Sequence, residues 1–327
     1  MRIAFFAKSH KHSGITAHME RAMGALGHTV LRINRRKVER LVGKRLAWWW
    51  IRRRLAAFRP DVVLVFTFDL PAARLAELRS VARTATFFDD CPEVLSQRIH
   101  DAARASDVFF ITNRGQIELY EREVGVTPAY VTGGCDPVDH FRVPPDPRFA
   151  SEVAFIGKGN PGGGRVELMR TLAQHFDLKL YGAGWEQWGL EPAARDVYPA
   201  EYRAICNSAK VVIGIDLRDD VDLYFSNRTW ISLGCGAFLA TRYVPNLEEV
   251  LSAGEQCVWF KDPDDAVRVI REWLGREEDR ARVAAAGHAH AHANYSYARM
   301  IERMLAHPAL ASAPAAAPAD AGGQTPT

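Results

Sequence analysis

The sequence has few cysteines and no long apolar run. Its five cysteines, in a chain of 327 residues, lie far apart and form no C-x-x-C pair. This spacing argues against a disulfide framework or a zinc site and is typical of reduced core thiols. The apolar runs are far shorter than the roughly 20 residues that cross a bilayer, and no signal peptide precedes the first predicted strand. We therefore expect a cytoplasmic protein.

The common nucleotide-binding and metal-binding motifs are also missing. The glycine-rich stretch 157–164 contains no Gly-Lys-Ser/Thr sequence and lacks the G-x-G-x-x-G order of dinucleotide-binding folds. The two D-x-D triplets, at 220–222 and 262–264, are expected by chance in a chain with this many aspartates. We therefore predict no metal and no cofactor.

Charge is present but unevenly distributed. The stretch from Arg32 to Arg59 contains eleven lysines and arginines and one acid, Glu39, whereas the whole chain carries a net charge of only +3. A basic segment in an otherwise acidic chain predicts an anionic partner.

Residues 37–58 of this basic stretch predict one helix with three consecutive tryptophans. Neighbouring residues on a helix are 100° apart, so the tryptophans cannot all join a core stripe of Val38, Val42, Leu46 and Trp49. We expect the others to lie beside the arginines, against a membrane that carries anionic lipid or an anionic acceptor. A helix whose arginine stems pack on the protein is the alternative. The predicted surface residues are Trp48, Trp50, Arg52, Arg53 and Arg54.

Short apolar runs alternate with stretches of helical period along the whole chain, which predicts parallel sheets with helices on both faces. Ten runs are predicted strands, five before and five after a break rich in proline and glycine at 133–149. The predicted fold class is α/β, with two Rossmann-like domains and a cleft between them. The domains are residues 1–145 and 146–294, followed by a terminal helix, 295–306, that crosses back to the first domain, and a disordered tail, 307–327.

Loops at the ends of predicted strands carry the candidate site, because doubly wound sheets bind ligands beyond the carboxyl ends of their strands. Ser13 and Gly14 begin a helix, where backbone N–H groups can approach an anion. The stretch 157–164 has five glycines in eight residues, with Lys158 inside it and Arg165 after it. It predicts a diphosphate cradle, with a merely mobile glycine loop as the alternative.

Ser226 to Thr229 precede an apolar helix, for which Ser226 is the predicted N-cap. Arg228 then lies in the first turn, where a cation opposes the helix dipole unless an anion compensates it. A phosphate would do so, and a salt bridge to Asp220 or Asp222 is the alternative.

Five stretches resemble glycosyltransferases of the GT-B fold. KHSGITAHMERAMGALGHTV (11–30) resembles their glycine loop and first helix, and TGGCDPVDHFRV (132–143) the sequence that leads into their linker. Three more resemble the donor domain of the CgeB-type group, named after spore maturation proteins: LYGAGW (180–185), SAKVVIGI (208–215) and SNRTWISLGCGAFLATRYVPNLEEVLSAGEQCVWFKDPDDAV (226–267). The resemblance covers residues 1–306. It implies metal-independent transfer of a sugar from a nucleotide-diphosphate sugar to the hydroxyl of a saccharide, lipid-linked glycan or protein, as in polysaccharide biosynthesis.

The resemblance also implies which residues bind the donor. Lys158 and Arg165 correspond to the basic pair at the diphosphate, and residues 227–229 start the helix that meets the donor. Where the CgeB-type group has glutamate, which in many GT-B enzymes holds the ribose, this chain has Ile231, which accepts no hydrogen bond. Glu248 and Glu249 are therefore candidates for ribose. The predicted donor-binding residues are Ser13, Gly14, Gly157, Lys158, Arg165, Tyr181, Gly182, Ser226, Asn227, Arg228, Thr229, Glu248 and Glu249.

An inverting transfer needs a general base near the acceptor. Asp89 and Asp90 follow the fourth predicted strand, and His12 lies in the first loop, so these three are the predicted catalytic residues. An N-cap of a helix that begins at Pro92 is the alternative for Asp90, and a solvated loop residue is the alternative for His12.

Three other functions stay open: a nucleotide-sugar epimerase of the same fold, a nucleic-acid-directed protein that uses residues 32–59, and a carbohydrate-binding protein without activity, which Ile231 suggests. The partners that we expect are a nucleotide-sugar donor, an anionic or lipid-linked acceptor and, through residues 37–58, the inner face of the cell membrane. Nucleic acid is less favoured, because phosphate binding does not require the apolar tryptophans.

Overall fold

The computed structural model describes residues 1–8 and 14–311, and two sheets of parallel strands organise this part of the chain. The first sheet has six strands in the order β2-β1-β3-β4-β5-β6. They are β1 (Arg2–Phe6), β2 (Thr29–Ile33), β3 (Val62–Phe66), β4 (Arg83–Phe88), β5 (Val108–Ile111) and β6 (Ala129–Tyr130).

The second sheet has five strands in the order β11-β10-β9-β7-β8. They are β7 (Ser151–Ile156), β8 (Leu178–Tyr181), β9 (Ala209–Gly214), β10 (Leu239–Arg242) and β11 (Val258–Phe260). All ten predicted strands overlap observed ones. The two-residue strand β6 was not predicted, because two residues are too few to form a recognisable apolar run.

Helices connect the strands and cover both sheets. The helices of the first half are α1 (Ile15–Ala25), α2 (Arg35–Phe58), α3 (Ala72–Leu78), α4 (Gln97–Ala105) and α5 (Ile117–Val124). Those that follow are α6 (Arg165–His175), α7 (Pro199–Ser208), α8 (Arg228–Gly234), α9 (Pro263–Leu274), α10 (Glu277–Asn294), α11 (Tyr297–Leu305) and α12 (Pro308–Ala311). None of the described helices is long and apolar enough to span a bilayer.

The last described helices pack on the first sheet. One face of α11, with Tyr297, Met300 and Met304, is buried in the core formed by α1 and strands β1, β3, β4 and β5. The predicted disordered tail starts too early, since α12 follows and its Leu310 is buried in the same core. Burial of an apolar side chain compensates the entropy of ordering this turn. The remainder of the predicted tail, 312–327, lies outside the described residues.

Helix α2 is not the uninterrupted helix that the sequence predicts. Gly43 has a φ of 75°, in the left-handed region, so the residues after it adopt a new rotational phase. The predicted core stripe is therefore wrong, since Val42, Leu46 and Trp49 are exposed. The buried residues of α2 are Ala47, Trp48, Ile51 and Leu55.

The prediction that Trp48 lies at the surface is also wrong. Trp48 is 9% exposed, and its Nε1 donates a hydrogen bond to Oε2 of Glu77 at 3.0 Å. Its neighbour Trp49 is 58% exposed instead, and Trp50 lies at the surface together with residues 52–54.

Candidate functional site

A cavity of about 150 Å³ lies between the two sheets, and residues that follow strands β4, β5 and β6 line one side of it. The loop before α8 lines the other side. The carboxyl ends of parallel strands are the expected place for a ligand in such sheets. We call this space the inter-sheet cavity; its lining residues are Ile15, Phe87, Asp89, Thr112, Gly133, Tyr224, Phe225, Ser226, Asn227 and Tyr297.

Asp89 is the carboxylate of this cavity. Its Oδ1 accepts a hydrogen bond from Thr67 Oγ1 at 3.0 Å. Thr67 has a φ of 50°, an uncommon conformation for a β-branched residue, and its N–H donates to the carbonyl of Phe87 at 2.7 Å. Burial raises the pKa of Asp89 above its ordinary value, although the hydrogen bond from Thr67 opposes the shift. A carboxylate with a raised pKa accepts a proton more readily than one in water.

Of the other two predicted catalytic residues, Asp90 is described and does not line this cavity. Asp90 is exposed and accepts a hydrogen bond from the N–H of Cys91 at 2.9 Å. It does not cap a helix either, because α4 begins five residues later than Pro92, with Ser96 as its N-cap. His12 lies outside the described residues.

Two arginines converge beside the loop that lines the cavity. Arg165 at the start of α6 and Arg228 at the start of α8 each place their guanidinium carbon 5.5 Å from the centre of the Phe155 ring. Arg165 is 4% exposed, and its Nε has no hydrogen-bond partner among the described residues. Burial and, secondarily, the charge of Arg228 lower the pKa of Arg165 to about 10. Two neighbouring cations with unused donors form a site for an anion.

One buried carboxylate faces this pair. Asp216 follows β9, is 5% exposed and accepts a hydrogen bond from the N–H of Ser226 at 2.8 Å. Burial raises its pKa, whereas the charges of Arg228 and Arg165 oppose that shift. One carboxylate against two guanidinium groups leaves the described site with a net positive charge. The predicted alternative for Arg228 is wrong, since Asp220 pairs with Arg218 and Asp222 with Arg114.

The glycine-rich loop is packed against this site. A Cβ atom on Gly157 would collide with the guanidinium of Arg228. Gly163 has a φ of 65°, and a side chain there would collide with the carbonyl of Asp216. These close approaches argue against a merely mobile loop, and the diphosphate cradle stays a prediction. Lys158 is exposed, and its carbonyl accepts a hydrogen bond from Arg165 Nη1 at 3.1 Å.

The first turn of α8 differs from the prediction. Asn227 rather than Ser226 is the N-cap, and neither contributes a capping hydrogen bond from its side chain. The carbonyl of Ser226 accepts the N–H of Thr229, whose side chain is buried. Helix α8 is held in an apolar environment, since Trp230 and Leu233 are fully buried, and this packing rather than a side-chain cap fixes where the helix begins.

Asn227 binds the two chain segments that connect the sheets. Its Oδ1 accepts a hydrogen bond from the N–H of Gly134 at 2.7 Å, and its Nδ2 donates to the hydroxyl of Tyr297 at 2.7 Å. Cys135 also exchanges backbone hydrogen bonds with residues 295 and 297, at 2.9 Å each. The Asn227 side chain therefore positions these segments, and it retains one N–H donor at the inter-sheet cavity that it lines.

Two more predicted donor-binding residues lie at the end of β8. Tyr181 is 2% exposed, with its ring 6.2 Å from that of Phe149, so its side chain belongs to the core. Its carbonyl accepts the N–H of Gly157 at 2.7 Å. Gly182 lies against the carbonyl of Gly157, with no room for a Cβ. Both residues therefore contact the backbone of the glycine-rich loop at Gly157. At the other predicted loop, Gly14 is the N-cap of α1, and Ser13 lies outside the described residues.

Both glutamates proposed for ribose have partners. The two carboxylate oxygens of Glu249 each accept a hydrogen bond from Arg114 at 2.8 Å, and Glu248 accepts one from the hydroxyl of Tyr243 at 3.0 Å. Arg114 also donates to both oxygens of Asp222, at 2.6 and 3.1 Å. Arg114 follows β5 of the first sheet, and its ion pairs with Asp222 and Glu249 therefore join the two halves of the chain. A ribose would have to compete with Arg114 for the carboxylate of Glu249.

Gly115 offers a way to open this contact. A Cβ there would lie 2.7 Å from the backbone nitrogen of Asp222, too close for any side chain. We expect Gly115→Val to separate the Arg114 contact and to lower the melting temperature, since overpacking costs about 1–3 kcal/mol. Calorimetry measures the loss. Gly125→Ala is unsuitable as a control because Gly125 has a φ of 70°, whereas Gly24→Ala, in helix α1 with open space around it, should not lower the melting temperature and should raise it slightly, because alanine favours a helix more than glycine does. An unchanged melting temperature for Gly115→Val would contradict the close packing.

A polar cluster lies at the start of the segment that leads from β6 of the first sheet to the second sheet. Arg21 donates to Asp136 at 2.8 Å and to Asp139 at 2.6 Å, and His18 Nε2 lies 3.0 Å from Asp139. Among the described residues, His18, Asp136 and Asp139 are the group whose atoms lie close enough to bind a metal together. Arg21 already occupies the space between the carboxylates, so the cluster is an ion-pair network that orients the connection.

Sequence reasoning missed several of these residues. Asp216, Arg114, Thr67 and Tyr297 belong to no motif, and their partners are distant along the chain. Asp216 and Arg114 do each follow an apolar strand, and that position was the available signal.

Part of the chain matches a known family. The model of the family described as "Glycosyl transferase-like" matches residues 165–306, from α6 to just after α11. Among curated proteins, none has a sequence that matches the chain. The matched residues make up less than half of the chain, and the match leaves the predicted CgeB-type subgroup open.

Solved structures share the fold of the chain. HepE of Anabaena, solved with UDP and glucose, is 13% identical, with a TM-score of 0.61 over 93% of this chain and 98% of HepE. Sucrose-phosphate synthase of Thermosynechococcus elongatus is 14% identical, with a TM-score of 0.65 over 93% and 97%. AviGT4, a glycosyltransferase involved in avilamycin A biosynthesis, is 14% identical, with a TM-score of 0.58 over 93% and 96%. These similarities confirm the predicted α/β class and GT-B fold.

Proposed function

We propose that the chain transfers a sugar from a nucleotide-diphosphate sugar to an acceptor hydroxyl and that Arg165 and Arg228 bind the diphosphate. The observation that carries the proposal is the pair of like-charged arginines beside the inter-sheet cavity: Arg165 is buried with an Nε that is unpaired among the described residues, and Arg228 next to it is half-buried. A buried cation next to another cation is unfavourable without a counter-ion, and a diphosphate supplies two negative groups. The HepE structure contains UDP, and its similarity in fold makes a uridine nucleotide the first donor to test.

The same geometry accounts for the chemistry of transfer. Sugar transfer develops negative charge on the departing diphosphate, and fixed cations stabilise that charge in the transition state. Asp89 lies in the inter-sheet cavity with a raised pKa, and we propose it as the general base that takes the proton of the acceptor hydroxyl. The two charges act at opposite ends of one displacement, in which the glycosidic bond to the diphosphate breaks and a bond to the acceptor oxygen forms.

The finer parts of the proposal are the subgroup, the metal, the acceptor and the location. We propose a CgeB-type enzyme that needs no metal, because Arg165, Arg228 and Lys158 supply the positive charge that a divalent ion would otherwise provide. The acceptor that we propose is anionic or lipid-linked and the location is the cytoplasm, with peripheral contact at the membrane through residues 37–58.

Thermal-shift measurements with UDP, GDP and dTDP, each with and without excess chelator, test the donor and the metal together. A nucleotide at 100 times its Kd adds about 2.7 kcal/mol to the free energy of unfolding, which raises the melting temperature measurably. We expect at least one nucleotide to do so and the shift to survive EDTA. A shift that disappears with EDTA and returns with Mg²⁺ or Mn²⁺ would overturn metal independence, and no shift with any nucleotide would overturn the donor site.

The remaining alternatives differ in their products. An epimerase would convert the nucleotide-sugar in the absence of an acceptor, and a carbohydrate-binding protein would bind donor without releasing nucleotide. Release of UDP or another nucleoside diphosphate that depends on an added acceptor is expected only from the transferase.

A further inference from the structure

The exposed face of α2 carries an apolar groove that is rimmed by cations. The groove has a volume of about 560 Å³ and runs between α2 and the end of α3. Trp49, Leu78 and Val81 contribute apolar walls, and Arg45, Arg52 and Arg53 contribute the charge. We call this groove, together with the exposed residues 41–54 of α2, the α2 face.

Large apolar side chains on this face are unusually exposed for a globular protein. Leu41 is 74% exposed and Leu46 is 63% exposed, and Trp49 lies between the groove and solvent. Exposed apolar side chains gathered on one short segment mark a place that contacts a partner or a membrane. The break at Gly43 gives the residues after it a new rotational phase, in which Leu46 and Trp49 are exposed and Ala47, Trp48 and Ile51 are buried.

The cations of the face have no acidic partner among the described residues. Arg45, Arg52, Arg53 and Arg54 form no salt bridge there, whereas Arg35, at the start of the same helix, pairs with Glu39. Arg53 lies 5.1 Å from the ring centre of Trp49, and Arg54 lies 4.9 Å from that of Trp50. Stacking on tryptophan holds each guanidinium beside an apolar ring without neutralising its charge.

We propose that the α2 face docks on a lipid surface that contains anionic headgroups. Aliphatic and indole groups would enter the interface while unpaired arginines contact the headgroup phosphates, an arrangement that interfacial helices use. Nucleic acid would satisfy the arginines but would leave Leu41 and Leu46 without a partner. This inference rests on the proposed function only in that it makes a lipid-linked acceptor accessible to the enzyme; the docking itself does not require catalysis.

Vesicle co-sedimentation tests the proposal with the full chain. We expect the protein to bind vesicles of 30% phosphatidylglycerol in phosphatidylcholine and not pure phosphatidylcholine. The triple variant Arg52→Glu, Arg53→Glu, Arg54→Glu should bind the anionic vesicles about 100-fold more weakly, since each basic residue near such a surface contributes appreciably. The matched control reverses three exposed cations elsewhere, Arg122, Lys210 and Arg271, and should keep binding within about twofold.

A second variant tests the apolar contribution. Leu46→Ser with Trp49→Ser keeps every charge and both changed positions are exposed, so the fold is not expected to suffer. We expect at least a tenfold loss of vesicle binding, since both substitutions remove apolar surface that would be buried in the interface. Absence of binding by the wild type, or equal loss in the control reversal, would overturn the proposal. Tighter binding to a single-stranded RNA that is lost in the arginine variant but kept in the serine variant would assign the face to nucleic acid.

Nucleotide binding, measured in parallel by thermal shift, separates this proposal from the donor site. Both variants should keep the full nucleotide shift. A wild type that binds vesicles but no nucleotide would retain the docking proposal and reject the proposed function.

Discussion

Asp89→Asn is expected to slow sugar transfer by about 10²- to 10⁴-fold while nucleotide binding stays within about twofold of wild type. Asparagine keeps the oxygen that accepts the Thr67 hydrogen bond but cannot take a proton from the acceptor. The rate of transfer and the affinity for nucleotide should change independently. Asp89 follows β4 of the first sheet, whereas Arg165 and Arg228 begin α6 and α8 in the other half of the chain. Initial rates of nucleotide release and a nucleotide titration measure them.

Asp90→Asn is the matched control for this prediction. Asp90 is adjacent in sequence, exposed and absent from the lining of the inter-sheet cavity. Its replacement should leave the rate within about twofold, because asparagine keeps the oxygen that accepts the hydrogen bond from the N–H of Cys91. An equal loss of transfer rate in Asp89→Asn and Asp90→Asn would contradict the assignment of Asp89 as the base.

The pH dependence of Asp89 should appear with opposite signs in activity and in stability. As a base it must be ionised, so kcat/KM should fall as the pH decreases through the raised pKa of Asp89, and Asp89→Asn should lack this limb. The folded protein binds the proton of Asp89 more tightly than the unfolded chain does. The stabilising contribution is therefore present at low pH and is lost as the pH rises through the pKa of the folded state. At neutral pH the asparagine variant should melt at a higher temperature than wild type, although it is inactive.

Arg228→Met and Arg165→Met are each expected to weaken nucleoside diphosphate binding by roughly 10- to 150-fold, which corresponds to the loss of about 1.5–3 kcal/mol from a charged hydrogen bond. Methionine keeps an apolar stem over Phe155 and removes the guanidinium, so packing changes less than with alanine. Lys158→Met should have a smaller effect, because the exposed ammonium is already hydrated. Isothermal titration with UDP, or with the nucleotide that the thermal-shift screen selects, measures the loss.

Arg170→Met is the control for the arginine pair. Arg170 lies on α6 like Arg165, is exposed and donates to the carbonyl of Trp188 at 2.7 Å. Its replacement should not change nucleotide affinity by more than about twofold. If Arg165→Met and Arg228→Met bind nucleotide as well as Arg170→Met does, the diphosphate does not contact the pair and the proposed donor site is wrong.

The loops of the candidate site could be predicted from the sequence, but the exact contacts could not. Glycines at 157–164 and a cation in the first turn of α8 are local anomalies, and a local pattern is enough to detect them. The role of Asn227 is not local, since its amide joins Gly134 to Tyr297 across more than 60 residues in each direction. The contact of Glu249 could not be predicted for the same reason, because its partner Arg114 follows β5 of the first sheet and is distant along the chain.

The sequence by itself determined the α/β class, the two series of strands, the break between them and the basic helix. Each of these depends on burial or charge within one element, and periodicity along the chain reports that burial directly. Only the tertiary structure decided which side chains meet. Strand β7 lies between β8 and β9, so the loops after β7 and β9 become neighbours, and this order brings Arg165, Arg228 and Asp216 together. The break at Gly43 likewise decided that Trp48 is buried and Trp49 exposed, because one left-handed residue resets the phase that the sequence pattern assumes to be continuous.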